Sequence, residues 1–316
     1  MLSLLTRILV CILHRGRGYL KRISPTGDLA FKKVLSSEEN KDILGGLIKD
    51  FFEVDAEELT LENPYNIAAY KEILTAGEEV TVLRNTLKDV AATFRVADFV
   101  SEIQIKKTLY FDERSLYYPL VRYTQNYSKE GFMKARADGK PSRYSSLRPI
   151  YALNILGYSH FDENGDEDAL RIFELYDPER HKRFNKRLLR IGYFKLTKPH
   201  IETDNQRYWR DYFTTGEVSA GAPEYIKKAS SIIEFLNLTE EERNVVQILD
   251  KAQAIMDSEL VSSYFEGLEE GEARGEARGE ANAKIMNAKS MIKDGVPLEK
   301  VAIYSGLPLD FIKTLL

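Results

Sequence analysis

Apolar residues recur at three- and four-residue spacing from Asn40 to Phe52, where Ile43, Leu44, Leu47, Ile48, Phe51 and Phe52 share one face, and this spacing predicts an amphipathic helix. Ahead of it, Ser24-Pro25-Thr26-Gly27-Asp28 reads as a loop feeding a shorter helix through Leu29 to Leu35, with Asp28 as the expected N-cap. The pattern then changes to an alternation with a period of two. Leu87-Lys88-Asp89-Val90-Ala91-Ala92 and Phe99-Val100-Ser101-Glu102-Ile103-Gln104-Ile105 predict a β-hairpin turning through Arg95-Val96-Ala97-Asp98. Side chains alternate along a strand, so Glu102 and Gln104 share one face, and Ser101, Ile103 and Ile105 share the other.

A helix is expected from about Asp112 to Tyr127. Beyond it, Ile150 to Gly157 and Leu170 to Tyr176 predict buried strands on either side of a turn at Asp162 to Asp166, and Leu188 to Leu196 is a further candidate strand. From about Asn205 onward, through the single tryptophan Trp209, the pattern is helical. Helices, strands, helix, strands and helices in that order give an α/β core, a mixed sheet flanked by helices, with an α-helical C-terminal tail.

In that tail, Gly267, Gly271, Gly275 and Gly279 repeat every four residues among glutamate, alanine and arginine. Glycine costs roughly 1 kcal/mol relative to alanine inside a helix, so the expectation is a marginal helix or flexible connector, with a glycine seam against a partner helix as the alternative. Asp294-Gly295-Val296-Pro297 and Ser305-Gly306-Leu307-Pro308 divide the last segment into about three short helices. The turn between the last two is reminiscent of a helix-turn-helix. Acidic and apolar residues dominate there, which favours a small interaction module over a reader of the major groove.

Composition narrows the class. A chain of 316 residues with 43% hydrophobic, 30% charged and 11% aromatic residues is globular. Its one cysteine, Cys11, excludes an internal disulfide and fits a reducing cytoplasm. The apolar run Met1 to Leu13 is interrupted by Arg7 and too short to span a bilayer, so neither secretion nor a membrane anchor is expected. A net charge of −4 does not advertise nucleic-acid binding, but eight cations between Arg180 and Lys198 have no acid among them. Such a stretch is either a phosphate-contacting face or a solvated one.

Two carboxylates at neighbouring strand positions suggest a divalent-cation site for phosphodiester hydrolysis. Asp89 and Glu102 would hold Mg2+ or another divalent ion, which prefers oxygen ligands and keeps several waters. The Ile103 carbonyl is a third candidate ligand. Gln104, on the face of Glu102, would orient the attacking water or the scissile phosphate. Arg114 and Tyr118, one helical turn apart, would contact the phosphate or steady Glu102. Tyr118 has a core role as its alternative, Asp28 that of an auxiliary acid, and Lys32 is a weaker candidate.

The motifs Asp28-Leu29-Ala30-Phe31-Lys32-Lys33-Val34, Leu87-Lys88-Asp89-Val90 and Glu102-Ile103-Gln104, with Arg114, Tyr118 and Gln125, resemble those of the recombination-promoting nuclease (Rpn) family, also described as PD-(D/E)xK nuclease family transposases. The glycine tetrads and Gly306-Leu307-Pro308 are similar as well. The resemblance implies a restriction-endonuclease-like fold, metal-dependent DNA endonuclease activity and a role in recombination. It makes Asp89 and Glu102 metal ligands, and it puts Gln104 where the wider superfamily carries lysine. Lys106 or Lys107 would compensate, Lys106 alone having the strand parity of Glu102. The rival reading is a catalytically silent DNA-binding or assembly protein on the same fold. The expected organisation is a leader (1–22), a nuclease domain (23–236), a helical linker (237–282) and a small helical module (283–316), with DNA as partner and a homo-oligomer through the tail.

Overall fold

The computed structural model describes residues 22–75, 90–127, 133, 136, 137, 139, 142–161, 166–184 and 187–316. Asp89 and the Asp162–Gly165 part of the expected turn lie outside them.

The apolar spacing around residue 43 does form a helix. α1 (Asp28–Ser36) and α2 (Lys41–Phe52) bury Leu29, Phe31, Val34, Ile43, Leu44, Leu47, Ile48, Phe51 and Phe52. Gly27, not Asp28, occupies the N-cap of α1, and Asp28 sits in the first turn, where a carboxylate favours the positive end of the helix dipole. α3 (Ile67–Thr75) follows a two-residue strand, β1 (Thr60–Leu61).

The hairpin forms as β2 (Val90–Phe94) and β3 (Ala97–Gln104), antiparallel, with Val90 opposite Ser101 and Phe94 opposite Ala97. The turn is tighter than expected, since Ala97 and Asp98 already belong to β3. α4 (Phe111–Gln125) then carries the chain to β4 (Ile150–Leu156), which pairs parallel to β3. Parallel neighbours need a crossover, and α4 lies within it. β5 (Leu170–Glu174), the small β6 (Tyr176–Asp177) and β7 (Lys182–Arg183), and β8 (Leu189–Lys195) complete the strands. The main sheet is mixed and six-stranded, in the order β1-β2-β3-β4-β8-β5. Every residue of β4 is buried, as befits a central strand covered on both faces. β5, by contrast, is an edge strand of intermediate exposure and not a buried one.

Strand parity sorts the sheet into two faces. Phe99, Tyr151 and Phe194 face α2, with the Phe52 ring 6.3 Å from Phe99 and 5.3 Å from Tyr151, and Phe51 4.8 Å from Phe194. Residues of opposite parity, among them Val100, Glu102, Ala152, Asn154, Ile191 and Tyr193, meet α4 through Phe111, Ser115 and Arg114. α5 (Asp204–Thr215) and α6 (Glu224–Ile232) pack with α2, where Trp209, Tyr225 and Asn205 hydrogen-bond the Asp50 carboxylate at 2.7–3.0 Å. Close approach demands Gly46, whose Cβ would lie 2.5 Å from the Tyr225 ring.

The basic stretch does not form one cationic face. Arg190 and Lys195 are buried, and Arg183, Arg187 and Arg190 all turn toward Glu174, at 3.4, 3.8 and 2.7 Å. Lys195 pairs with buried Asp166 at 2.5 Å, and its hydrogen bond holds that carboxyl below the usual carboxylate range.

α7 (Glu240–Lys293) is a single helix of 54 residues that includes all four glycine tetrads, so of the two expected forms, marginal helix or flexible connector, the chain takes the helical one there. Its start is a capping box: Glu242 N–H donates to Thr239 Oγ1 at 3.2 Å while Thr239 N–H donates to Glu242 Oε2 at 2.8 Å. The chain divides into two compact units, Met1–Ile248 and Leu249–Leu316. In the second, α8 (Leu298–Ser305) and α9 (Leu309–Lys313) bury Val301 and Ile312 with Ala288 of α7. Gly306 ends α8 in a left-handed conformation (φ 68°), and Pro297 and Pro308 precede the two short helices, as the breaks in the sequence pattern predict.

Candidate active site

The face of the sheet beneath α4 carries a row of polar residues set by register. Glu102 on β3 is opposite Asn154 on β4, which is opposite Tyr193 on β8. Asn154 is the one polar residue in the otherwise apolar strand Ile150–Leu156, and it is buried. Its Nδ2 donates to the Gly192 carbonyl at 3.3 Å. Tyr193 shares a 2.6 Å hydrogen bond with Ser115 of α4.

Glu102 is largely shielded, its side chain 11% exposed, and Arg114 Nη2 lies 2.8 Å from its Oε1. The same guanidinium nitrogen donates to Gln104 Oε1 at 2.8 Å, and Gln104 Nε2 donates to the Lys106 carbonyl at 2.8 Å. Arg114 therefore clamps two side chains of one strand face, which strand parity makes neighbours. Of the roles open to it from sequence, steadying Glu102 is the one visible in this arrangement. Its guanidinium also sits 5.6 Å from the Phe111 ring centroid. The turn of chain after β4 closes the site from the side: Gly157 N–H donates to the Gln104 carbonyl at 3.0 Å, and a Cβ on Gly157 would meet the Ile105 carbonyl at 2.9 Å.

A recess of about 150 Å3 opens here, lined by Glu102, Ser115, Tyr118, Pro119, Gln125 and Asn154 among others. Tyr118 is 39% exposed, so it is a wall of the recess and not a core residue. Tyr158, beside Glu102, Asp112 and Arg114, has its phenol pushed up to about 12, first by burial and then by the carboxylates of Asp112 and Glu102, against the opposing pull of Arg114. It stays protonated at physiological pH.

At the turn end of the hairpin, a second group of charges is structural. Asp98 is fully buried and receives Asn126 Nδ2, with Arg122 Nε at 3.5 Å and Arg148 Nε at 3.8 Å. Arg122 also bridges Glu62 at 2.6 Å and Thr93 at 2.9 Å, and Arg148 donates to the Phe94 carbonyl. Together these bonds hold β1, the hairpin and α4 in one frame.

The sequence expectation thus has Glu102, Gln104, Arg114 and Tyr118 brought together, with Asp89 outside the described residues. Asn154, Ser115 and Tyr193 join them unpredicted, although an asparagine inside an apolar strand is a signal that points to Asn154. Asp28 and Lys32 belong to α1; Lys32 is fully buried. Among the described residues no group of three or more His, Cys, Asp or Glu side chains could by itself hold a metal ion. Within a largely apolar lining, the Glu102 carboxylate is the kind of oxygen ligand that hard cations select, and one or two carboxylates suffice for Mg2+.

A mixed sheet flanked by helices, with an acidic hairpin strand facing a recess, defines a restriction-endonuclease-like fold. The chain belongs to the PD-(D/E)XK nuclease family transposases, whose family model matches residues 25–263. That match spans the main sheet, α1 to α6 and the start of α7, and it gives the protein a nuclease or transposase-like role. No curated protein and no solved structure matches the chain.

Proposed function

We propose that this protein is a divalent-cation-dependent DNA endonuclease in which Glu102 and Asp89 hold the ion and Gln104 assists. The observation that carries the reading is the position of Glu102: shielded, aimed at a recess on the α4 face, and clamped by Arg114. Asp89 is one residue from Val90, about 3.8 Å of chain, and Val90 pairs with Ser101, the neighbour of Glu102. A bound ion would neutralise charge developing on the phosphate and lower the pKa of a coordinated water.

The chain's own groups supply the rest. Arg114 fixes Glu102 in place and offers its remaining N–H donors to a phosphate. Gln104 has two amide hydrogens, of which the Lys106 carbonyl takes one, so the amide is held in one orientation toward the strand end. Gly157 keeps that strand end pressed against β4. A role in promoting recombination and a cytoplasmic setting, in keeping with a single cysteine, belong to the same proposal.

The tail has a place in it as well. Tyr264, Phe265, Leu268, Leu260 and Ile255 of α7 are 41–64% exposed. A second copy of the helix packed on this stretch would cover those apolar groups. Self-association through this helix is the proposed oligomeric arrangement.

The test is cleavage of end-labelled DNA with magnesium, manganese or chelator. Metal-dependent cutting that falls about 100-fold or more in Glu102→Gln, with the fold intact by circular dichroism, is the expected result. Folded protein that binds DNA and never cuts it would favour the catalytically silent reading.

A further inference from the structure

The flank of α4 that reaches Glu102 and Gln104 continues past Arg114 as a row of tyrosines. Positions three and four residues apart share a helix face, so Tyr117 lies one turn beyond Arg114 on α4, while Tyr110 sits just before the helix, its carbonyl accepting the Arg114 N–H at 3.1 Å. Both are open to solvent, 76% and 61% exposed, and Tyr117 meets Tyr118 edge to face at 5.7 Å. Tyr118 lines the recess and Tyr117 packs against it, so an exposed aromatic surface continues the wall of the recess along α4, the kind of patch beside a cleft that marks a binding site. Tyr110 is held at a cost: it precedes the helix in a left-handed conformation (φ 57°), rarely adopted by a bulky side chain. On the strand side of the same rim, Lys106 and Lys107 follow Gln104 and are exposed.

Exposed aromatic faces beside cations are what an unstacked nucleobase and its phosphate require. Every base has a face to lay on a ring, and the cations track the backbone. A duplex keeps its bases stacked on each other and offers such rings only its edges. From this juxtaposition we infer that the rim of the site takes single-stranded or locally unpaired DNA, with bases stacked on Tyr110 and Tyr117 while the backbone passes Arg114, Lys106 and Lys107. The inference rests on the proposal that Glu102 and Gln104 belong to a DNA-cutting site, and names its substrate class.

The test separates the two. Binding of the full-length protein to a fluorescein-labelled single-stranded oligonucleotide and to a hairpin duplex of the same composition is measured by anisotropy in chelator, where no cutting occurs. The expected result is tighter binding of the single strand, weakened about tenfold by Tyr117→Ala and again by Tyr110→Ala. Tyr117→Phe, which keeps the ring and loses only the hydroxyl, should bind as the parent does, and duplex binding should be unchanged throughout. Single-strand affinity indifferent to both alanine substitutions, or lost equally in Tyr117→Phe, would overturn the inference. Metal-dependent cleavage is then scored on the same variants. Cutting that survives with no tyrosine effect on binding leaves the nuclease proposal standing without this one, whereas tyrosine-dependent binding with no cutting under any metal leaves this one without the nuclease.

Discussion

At the scale of single residues, the site is a charge problem solved by geometry. A shielded carboxylate needs a partner, and Arg114 provides one at 2.8 Å while holding Gln104 with the same nitrogen. Arg114→Ala should therefore lower cleavage about 10–100-fold by misplacing Glu102, with Arg114→Lys recovering only part, since a lysine ammonium lacks the planar guanidinium that fixes the contacting nitrogen. A kcat loss with little change in DNA affinity would mark positioning; loss of affinity alone would mark a phosphate contact. Lys195 and Asp166 are a separate case, 0% and 2% exposed and paired at 2.5 Å. Asp166→Ala strands a buried ammonium and should cost about 3–5 kcal/mol in urea denaturation, whereas Asp166→Leu combined with Lys195→Met should cost much less. Glu102, Gln104, Arg114 and Tyr118 were legible in the sequence because each depends on local periodicity, two along a strand and four along a helix. Asn154 and Tyr193 reach the site through parallel register with strands some 50 and 90 residues away from Glu102, which no local pattern encodes.

At the scale of elements, α7 shows how a helix accommodates the glycine tetrads. Glycine weakens a helix, but Glu and Ala between the glycines favour it, and ion pairs such as Glu270 with Arg274 and Glu280 with Lys284 recur at four-residue spacing. A Cβ added at Gly267, Gly271, Gly275 or Gly279 meets nothing within 4 Å. Gly271→Ala with Gly275→Ala should accordingly slow amide exchange across residues 266–281, by about 1 kcal/mol of local stability per site; faster exchange would mean that the glycines serve a close contact. The N-terminal end of the helix is tied down by chemistry. Burial pushes the Glu242 carboxyl up, but Lys33, the Thr239 N–H and Tyr65 outweigh it and hold it below its ordinary value. Because the folded carboxyl binds its proton more weakly than the unfolded one, this stabilisation is complete above the ordinary glutamate range of about 4.3 and is lost as pH falls below it. Stability measured from pH 6 to pH 3 should fall less steeply in Glu242→Gln than in the parent.

At the scale of the whole molecule, the order of elements establishes the class of fold, a mixed sheet flanked by helices, but not its strand order. That order follows from long-range pairing: a hairpin, a parallel crossover through α4, and an edge strand that returns antiparallel to β8. The run of cations from Arg180 to Lys198 left two readings open in the sequence for the same reason, since Glu174 and Asp166, which pair with Arg183, Arg187, Arg190 and Lys195, lie upstream on β5 or just before it. Among the described residues no helix is long and apolar enough to cross a membrane. If α7 joins two copies of the chain, Leu260→Glu with Tyr264→Glu should shift the mass measured by light scattering toward the monomer, and an unchanged mass would remove the tail from the assembly. The central claim concerns the acidic hairpin, and supercoiled-plasmid cleavage tests it most directly, with the full chain and an Asp89→Ala, Glu102→Ala double variant compared across magnesium, manganese, calcium and chelator. Metal-dependent cutting by the parent and none by the variant, with both folded, is the expected result. Equal cutting by the two proteins, or none by a folded parent that still binds the plasmid, would contradict it.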